Sequence, residues 1–234
     1  MSGRTISAVV AGVAALGLVL SGCGSKDDAA EKTSESTSAS ESSATSSTAS
    51  SSAKPAADPN QTIDEYLKAN GIQQTLVKRG DAGAPELNLP TPPGWRVLSD
   101  TEAPETAWGA IVLDDPAAGS NPPAIIATMA KLTGGEPDPA TLLKLAPNKV
   151  KSLPGFEGPE TGQEGELSGF QASTIGGTFT QDGAPMLVAR KTVVIPGKDA
   201  VFLLALDVQG SEDYAPQMMD ATKAIDDETT ITVP

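Results

Sequence analysis

The apolar residues of this chain fall into three regimes. Residues 6–20 are almost wholly small and aliphatic, without a polar interruption that breaks the run. Residues 24–60 carry no large apolar side chain at all. From residue 61 onward, short apolar stretches alternate with turn residues, the pattern of a packed domain.

In the third regime the periodicities predict individual elements. Thr62 with Glu65 three residues on is a capping box; Ile63, Tyr66 and Leu67 form a helical stripe that stops at Asn70-Gly71. A short strand is expected to start at Leu76-Val77, and others over 86–89 and 95–98, separated by Pro90, Pro92 and Pro93. Stronger strands are expected over 107–113, 124–132, 186–195 and 200–208, the last so continuously apolar that both faces should be covered. Residues 169–180 read as a partner strand weakened by Gly176-Gly177. Gln181-Asp182-Gly183 and residues 196–199 are hairpin turns, which makes the last three long strands an antiparallel meander. Asp138-Pro139 opens a helix with Leu142, Leu143 and Leu145, and Pro147 ends it or restarts a second turn with Val150. A final helix begins near residues 213–215, with Tyr214, Met218, Ala221 and Ile225 on one side, and 230–233 forms an edge strand. Hairpins dominate, so the expected fold class is α+β: a central, mainly antiparallel sheet flanked by helices.

The first regime changes the picture of where the chain resides. A basic start at Arg4 and an apolar run of secretory length lead into Leu20-Ser21-Gly22-Cys23, a lipobox built on the sole cysteine of the chain. Residues 1–22 are then a lipoprotein signal peptide, and Cys23 is the acylated first residue, held to the outer face of the cell membrane. Each buried CH₂ adds about 0.8 kcal/mol, so two or three acyl chains anchor firmly. Residues 23–60 form a Ser/Thr/Ala-rich linker too polar to fold alone, with a reach of roughly 30–35 Å. Its composition resembles an O-glycosylated stalk. Residues 61–234 form one domain, and a shed or secreted form of it is compatible with such a linker.

Composition then removes whole classes of chemistry. The chain has no histidine, so triads, Cys-His dyads and imidazole zinc sites are excluded. The domain carries twelve Lys and Arg against twenty-four Asp and Glu, a net of −12. No basic cluster interrupts this, and Lys78-Arg79 and Arg190-Lys191 are isolated pairs, so nucleic acid is not an expected partner. Asp114-Asp115 and Asp226-Asp227-Glu228 lack the spacing of a calcium loop and read as strand and helix ends; no metal and no cofactor are expected. Glu157, Glu160, Glu164 and Glu166 fall in a Gly-rich stretch that reads as a solvated loop rather than the facing carboxylates of a glycosidase. Four aromatics are the candidate ligand contacts: Trp95, Trp108, Tyr66 and Phe156. For Trp95 and Trp108, core packing is the simpler role.

Several strings then occur in order across the domain: Gly80-Asp81-Ala82-Gly83-Ala84-Pro85, Leu89-Pro90-Thr91-Pro92-Pro93-Gly94-Trp95, Asn121-Pro122-Pro123, Lys131-Leu132-Thr133-Gly134, Leu145-Ala146-Pro147, Leu153-Pro154-Gly155-Phe156, and Lys191-Thr192-Val193-Val194-Ile195-Pro196. Together with residues 226–232 they resemble the LpqN/LpqT lipoproteins of mycobacteria and related actinobacteria, over essentially all of 61–234. The resemblance implies a Mog1/PsbP-like fold and no known catalytic residues. It also implies a place in building the mycolate-rich outer layer, with a trehalose-type glycolipid and a membrane exporter as partners. It carries lipid attachment onto Cys23 and no binding residue. The expected function is a non-catalytic envelope lipoprotein that binds a glycolipid, an exporter or both. Two alternatives stand beside it: a carboxylate-dependent hydrolase of cell-wall glycans or esters, and a pure scaffold.

Overall fold

The computed structural model describes residues 58–234. The expected signal peptide, Cys23 and nearly all of the expected linker lie outside the described residues. The chain enters through α1 (Ile63–Ala69), β1 (Gln73–Val77), β2 (Glu86–Asn88), β3 (Trp95–Val97), β4 (Gly109–Leu113) and β5 (Ala124–Thr133). It continues through α2 (Pro139–Leu145), α3 (Asn148–Lys151), β6 (Gln163–Leu167), β7 (Phe170–Gln181), β8 (Ala184–Pro196) and β9 (Val201–Ser211), and closes with α4 (Ala215–Glu228) and β10 (Thr230–Thr232). The fold is the α+β arrangement expected: every strand pair is antiparallel.

Local chemistry sets the element ends. The Thr62 hydroxyl accepts from the Glu65 amide, and the Glu65 carboxylate accepts from the Thr62 amide at 2.7 Å, which closes the capping box on α1. The Asp138 carboxylate accepts from the Thr141 amide at 3.2 Å and starts α2 with Pro139 in its first turn. Asp182 and Gly183 both take positive φ, 52° and 81°, the type I′ geometry that joins β7 to β8 in two residues.

The main sheet runs β3-β4-β5-β9-β8-β7-β6, with β1 paired to β5 beyond the end of β4. Central β9 is flanked on both edges; its Phe202, Leu204, Leu206 and Val208 face is buried, but Val201, Leu203 and Asp207 on the other face are half-buried, so the expected cover on both faces is only partial. One face carries Ala127, Leu204, Leu206 and Val193 against Met218, Ala221 and Ile225 of α4. The other face is covered in two patches. Leu132 and Val194 pack against Tyr66, Leu67, Leu142 and Leu145; Ile175, Phe179 and Val188 pack against Val150.

Three elements differ from the sequence expectation. Residues 163–167, read as solvated loop, form the edge strand β6, because Ser168 and Gly169 at positive φ fold them back onto β7. Leu76-Val77 ends β1 instead of starting it, since the polar Gln73, Gln74 and Thr75 run along an exposed edge. Residues 230–232 pair with β2 in a separate two-stranded ribbon, which places Ile231 and Leu87 in the main core.

Candidate functional site

Between the two covered patches the second sheet face is left open, and a groove of about 230 Å³ lies there. Its floor is built from the sheet alone. Strand pairing sets Thr128 of β5 opposite Ala205 of β9, and Ala205 opposite Thr192 of β8. One register step along, Arg190 stands opposite Asp207; one step the other way, Ala130 and Leu203 form an apolar end.

The walls come from chain ends that local chemistry holds in place. Thr62, Ile63 and Asp64 sit where the capping box starts α1. Leu76 of β1 leaves 45% of its surface exposed at the rim. The Lys78 ammonium donates to the carbonyls of Glu105 and, at 3.2 Å, Ala107, which fixes the segment that presents Thr106. The Asn148 amide donates to the carbonyls of Pro59 and Gln61 at 2.8 and 2.7 Å, so the linker joins the domain beside the groove.

The Arg190 guanidinium lies 3.1 Å from the Asp207 carboxylate. Burial pushes the Asp207 carboxyl above its ordinary value, and the positive charges of Arg190 and Lys149 oppose that rise. Lys149 reaches the groove and makes no ion pair among the described residues. The arrangement offers hydrogen-bond donors and acceptors at close to balanced charge, beside an apolar rim. That combination suits a neutral, hydroxylated headgroup with an attached hydrocarbon.

The four aromatics predicted as ligand contacts are not brought together. Trp95 and Trp108 each expose 7% of their surface within the main core, and Arg79 stacks 4.6 Å over the Trp108 ring. Tyr66 is buried on the inner side of α1, and Phe156 lies half-buried over Gly177. The acidic positions are spread along the surface. Glu164 and Glu166 lie on β6, Glu157 pairs with Thr178 through the backbone, and Glu160 meets Lys151 at 3.7 Å. Asp115 caps a short turn, Asp226 holds Lys191 at 2.6 Å, and Asp227 pairs with Lys223. Among the described residues no group of three His, Cys, Asp or Glu side chains could hold a metal ion, and no helix is long and apolar enough to cross a membrane.

Sequence reading missed the groove residues Thr128, Lys149, Arg190 and Thr192, and Asp207, the partner of Arg190. One signal was present: Asp207 is the only charge inside the apolar run 201–208, and a buried acid needs a partner.

Comparison with known proteins agrees with the resemblance of the sequence. The family model Lpp-LpqN, described as probable lipoprotein LpqN, matches residues 59–232. Lipoprotein LpqN of Mycobacterium tuberculosis is 48% identical over 231 residues, covering 98% of this chain and 99% of that protein. The crystal structure of LpqN involved in cell envelope biogenesis of Mycobacterium tuberculosis superposes with a TM-score of 0.70 at 44% identity, covering 75% of this chain and 99% of that one. With a family match across the whole described domain and a relative of nearly half-identical sequence over its full length, this chain belongs to the LpqN lipoprotein family.

Proposed function

We propose that this protein is a non-catalytic binding lipoprotein of the cell envelope that holds a glycolipid in the open sheet groove and presents it to a membrane exporter. In this reading Cys23 is cleaved after Gly22, acylated and anchored to the outer face of the membrane, and residues 24–60 are the tether. The observation that carries it is the groove itself. A polar floor of Arg190, Thr128 and Thr192, with Asp207 paired to Arg190 beyond its edge, lies beside exposed Leu76 and half-buried Ile63.

The parts divide the work. Sugar hydroxyls both donate and accept, so a paired Arg and Asp flanked by threonines serves them without stranding a charge. The apolar rim takes the first part of an acyl chain. The tether keeps the domain concentrated near membrane partners, which raises apparent affinity without a new contact. The relative whose crystal structure is known is described as involved in cell envelope biogenesis, which supports placing this protein in the same process.

A hydrolase would need two free carboxylates facing each other across the groove. The acid lining it is Asp64, exposed at the rim; Asp207, just beyond the lining, is already engaged by Arg190. Binding without turnover is the reading that fits these positions.

Photo-crosslinking in living cells tests it. A photoreactive residue at Leu76 in the full chain is expected to capture a glycolipid, and one at Asp220 on α4, behind the sheet, is not. Equal capture at both positions, or none at Leu76, overturns the reading.

A further inference from the structure

The three arginines among the described residues are placed differently. Arg96 meets Glu102 at 3.1 Å, and Arg190 meets Asp207 at 3.1 Å. Arg79 has no ion pair and no hydrogen bond among the described residues; its guanidinium lies 4.6 Å over the Trp108 ring. Its neighbours hold it in place. The Lys78 amide donates to the Asp81 carboxylate at 2.7 Å, and the Lys78 ammonium donates to the carbonyl of Ala107, next to Trp108, at 3.2 Å. Gly109 leaves room for the guanidinium, since a Cβ there would lie 3.1 Å from Arg79 Nη2.

Arg79 stands where two cavities meet, and neither shares a lining residue with the open groove. One is an apolar pocket of about 40 Å³ on the α4 side of the sheet, lined by Leu89, Val97, Ile111, Ile125 and Ile225. The other is an open cleft of about 780 Å³, lined by residues 79–85 and the β2–β10 ribbon. Asn88 and Thr230, register partners in that ribbon, are exposed along the cleft. Arg79 is the one cation lining either cavity among the described residues. No group of the cleft forms an ion pair with it, Pro234 at its edge included.

We propose that this corner receives the free C-terminus of a partner polypeptide ending in a small aliphatic residue, with Arg79 as the carboxylate-binding side chain. The inference is independent of what the open groove holds. A guanidinium with one face on an indole keeps its edges free for the two oxygens of a planar carboxylate. Charge selects among anions. Asp81 and Glu86 line the same cleft, so a singly charged carboxylate is opposed less than a doubly charged phosphate. Size selects the last residue. A pocket of this volume holds about three water-sized groups, the bulk of an isopropyl, and excludes an aromatic ring or a long chain. The Asn88 amide and the Thr230 hydroxyl then serve the backbone of the preceding residues, which a small free acid lacks.

Fluorescence anisotropy tests this with the full chain in detergent and a labelled Gly-Ser-Ser-Ala-Val peptide. The free acid is expected to bind about tenfold or more tighter than its C-terminal amide. In Arg79→Gln that preference should vanish, with thermal melts confirming the fold; Arg79 is exposed, so the exchange asks nothing of the core. A peptide ending in Phe should bind more weakly than the one ending in Val. N-acetylvaline and inorganic phosphate, the other sources of negative charge, should displace the peptide only at far higher concentrations. Equal affinity of acid and amide, an unchanged preference in Arg79→Gln, or a Phe peptide that binds as well as the Val peptide overturns the proposal. Displacement by N-acetylvaline or phosphate at the concentration of the peptide itself also overturns it.

Discussion

Arg190 and Asp207 are register partners on β8 and β9, with guanidinium Nη1 3.1 Å from a carboxylate oxygen. The Arg190 side chain is 14% exposed, so its charge has little water to fall back on. Asp207→Asn would leave that cation without a counter-charge. Loss of one member of a fully buried pair costs about 3–5 kcal/mol, and partial exposure of Asp207 reduces this to about 1–3 kcal/mol. Urea denaturation should show that loss. Replacing both residues with leucine should recover part of it. An Asp207→Asn protein as stable as the parent would remove the pair from any structural role.

The carboxyls should titrate in opposite directions. Asp207 lies above the ordinary aspartate value because burial outweighs the attraction of Arg190 and Lys149. The folded protein then binds that proton more tightly than the unfolded chain, so this group takes stability away as pH rises from the ordinary value through the raised one. Glu65 and Glu102 lie below the ordinary glutamate value, chiefly through backbone hydrogen bonds from Thr62 and Ser99. Their contribution is present above the ordinary value and is lost as pH falls through the lowered one. Carbon-detected titration by NMR reads all three. Lys149→Ala should move the Asp207 midpoint further up, and a downward move would contradict the arrangement.

Thr62→Ala should cost about 1 kcal/mol by removing the cap of α1. It should also raise the Glu65 midpoint, because the hydroxyl and the ordered amide that hold its charge are lost together. Circular dichroism melts and the same NMR titration would show both changes. A stability loss with Glu65 unmoved would mean that the box does not set that carboxyl.

Gly177→Ala should cost about 1–3 kcal/mol through overpacking. An added Cβ would strike the Glu157 carbonyl and come within 2.8 Å of the Phe156 ring, where residues 156–157 cross β7. Gly165 on β6 has open space at the same test, so Gly165→Ala should be close to neutral. Equal melting temperatures for the two variants would contradict the close crossing.

The contrast between those two glycines also shows what local sequence can carry. Thr62 with Glu65, Asp138 with Pro139, and Asp182 with Gly183 act within three residues of themselves, so their roles were readable from order alone. β6 was not readable, because Gln163, Glu164, Gly165 and Glu166 lack apolar alternation and become a strand only through β7. The groove was hidden for the same reason. Arg190 meets Asp207, and Thr192 meets Ser173, through pairings between strands distant in the chain. The aromatics took the simpler of the two roles: Trp95 and Trp108, with Tyr66, bury large apolar areas in the core.

Lipid attachment has its own test. Cys23→Ala should leave the precursor without labelled fatty acid, with residues 6–20 still attached. A Cys23→Ala protein that keeps the label would contradict the anchor.

The most direct measurement is native mass spectrometry of the full chain purified from its own membranes, compared with Thr128→Trp. Thr128 is half-buried on the groove floor, so an indole there fills the cavity with little demand on the core. The account predicts a glycolipid mass retained by the parent and absent from the variant. The same adduct on both proteins, or no adduct on the parent, would contradict it.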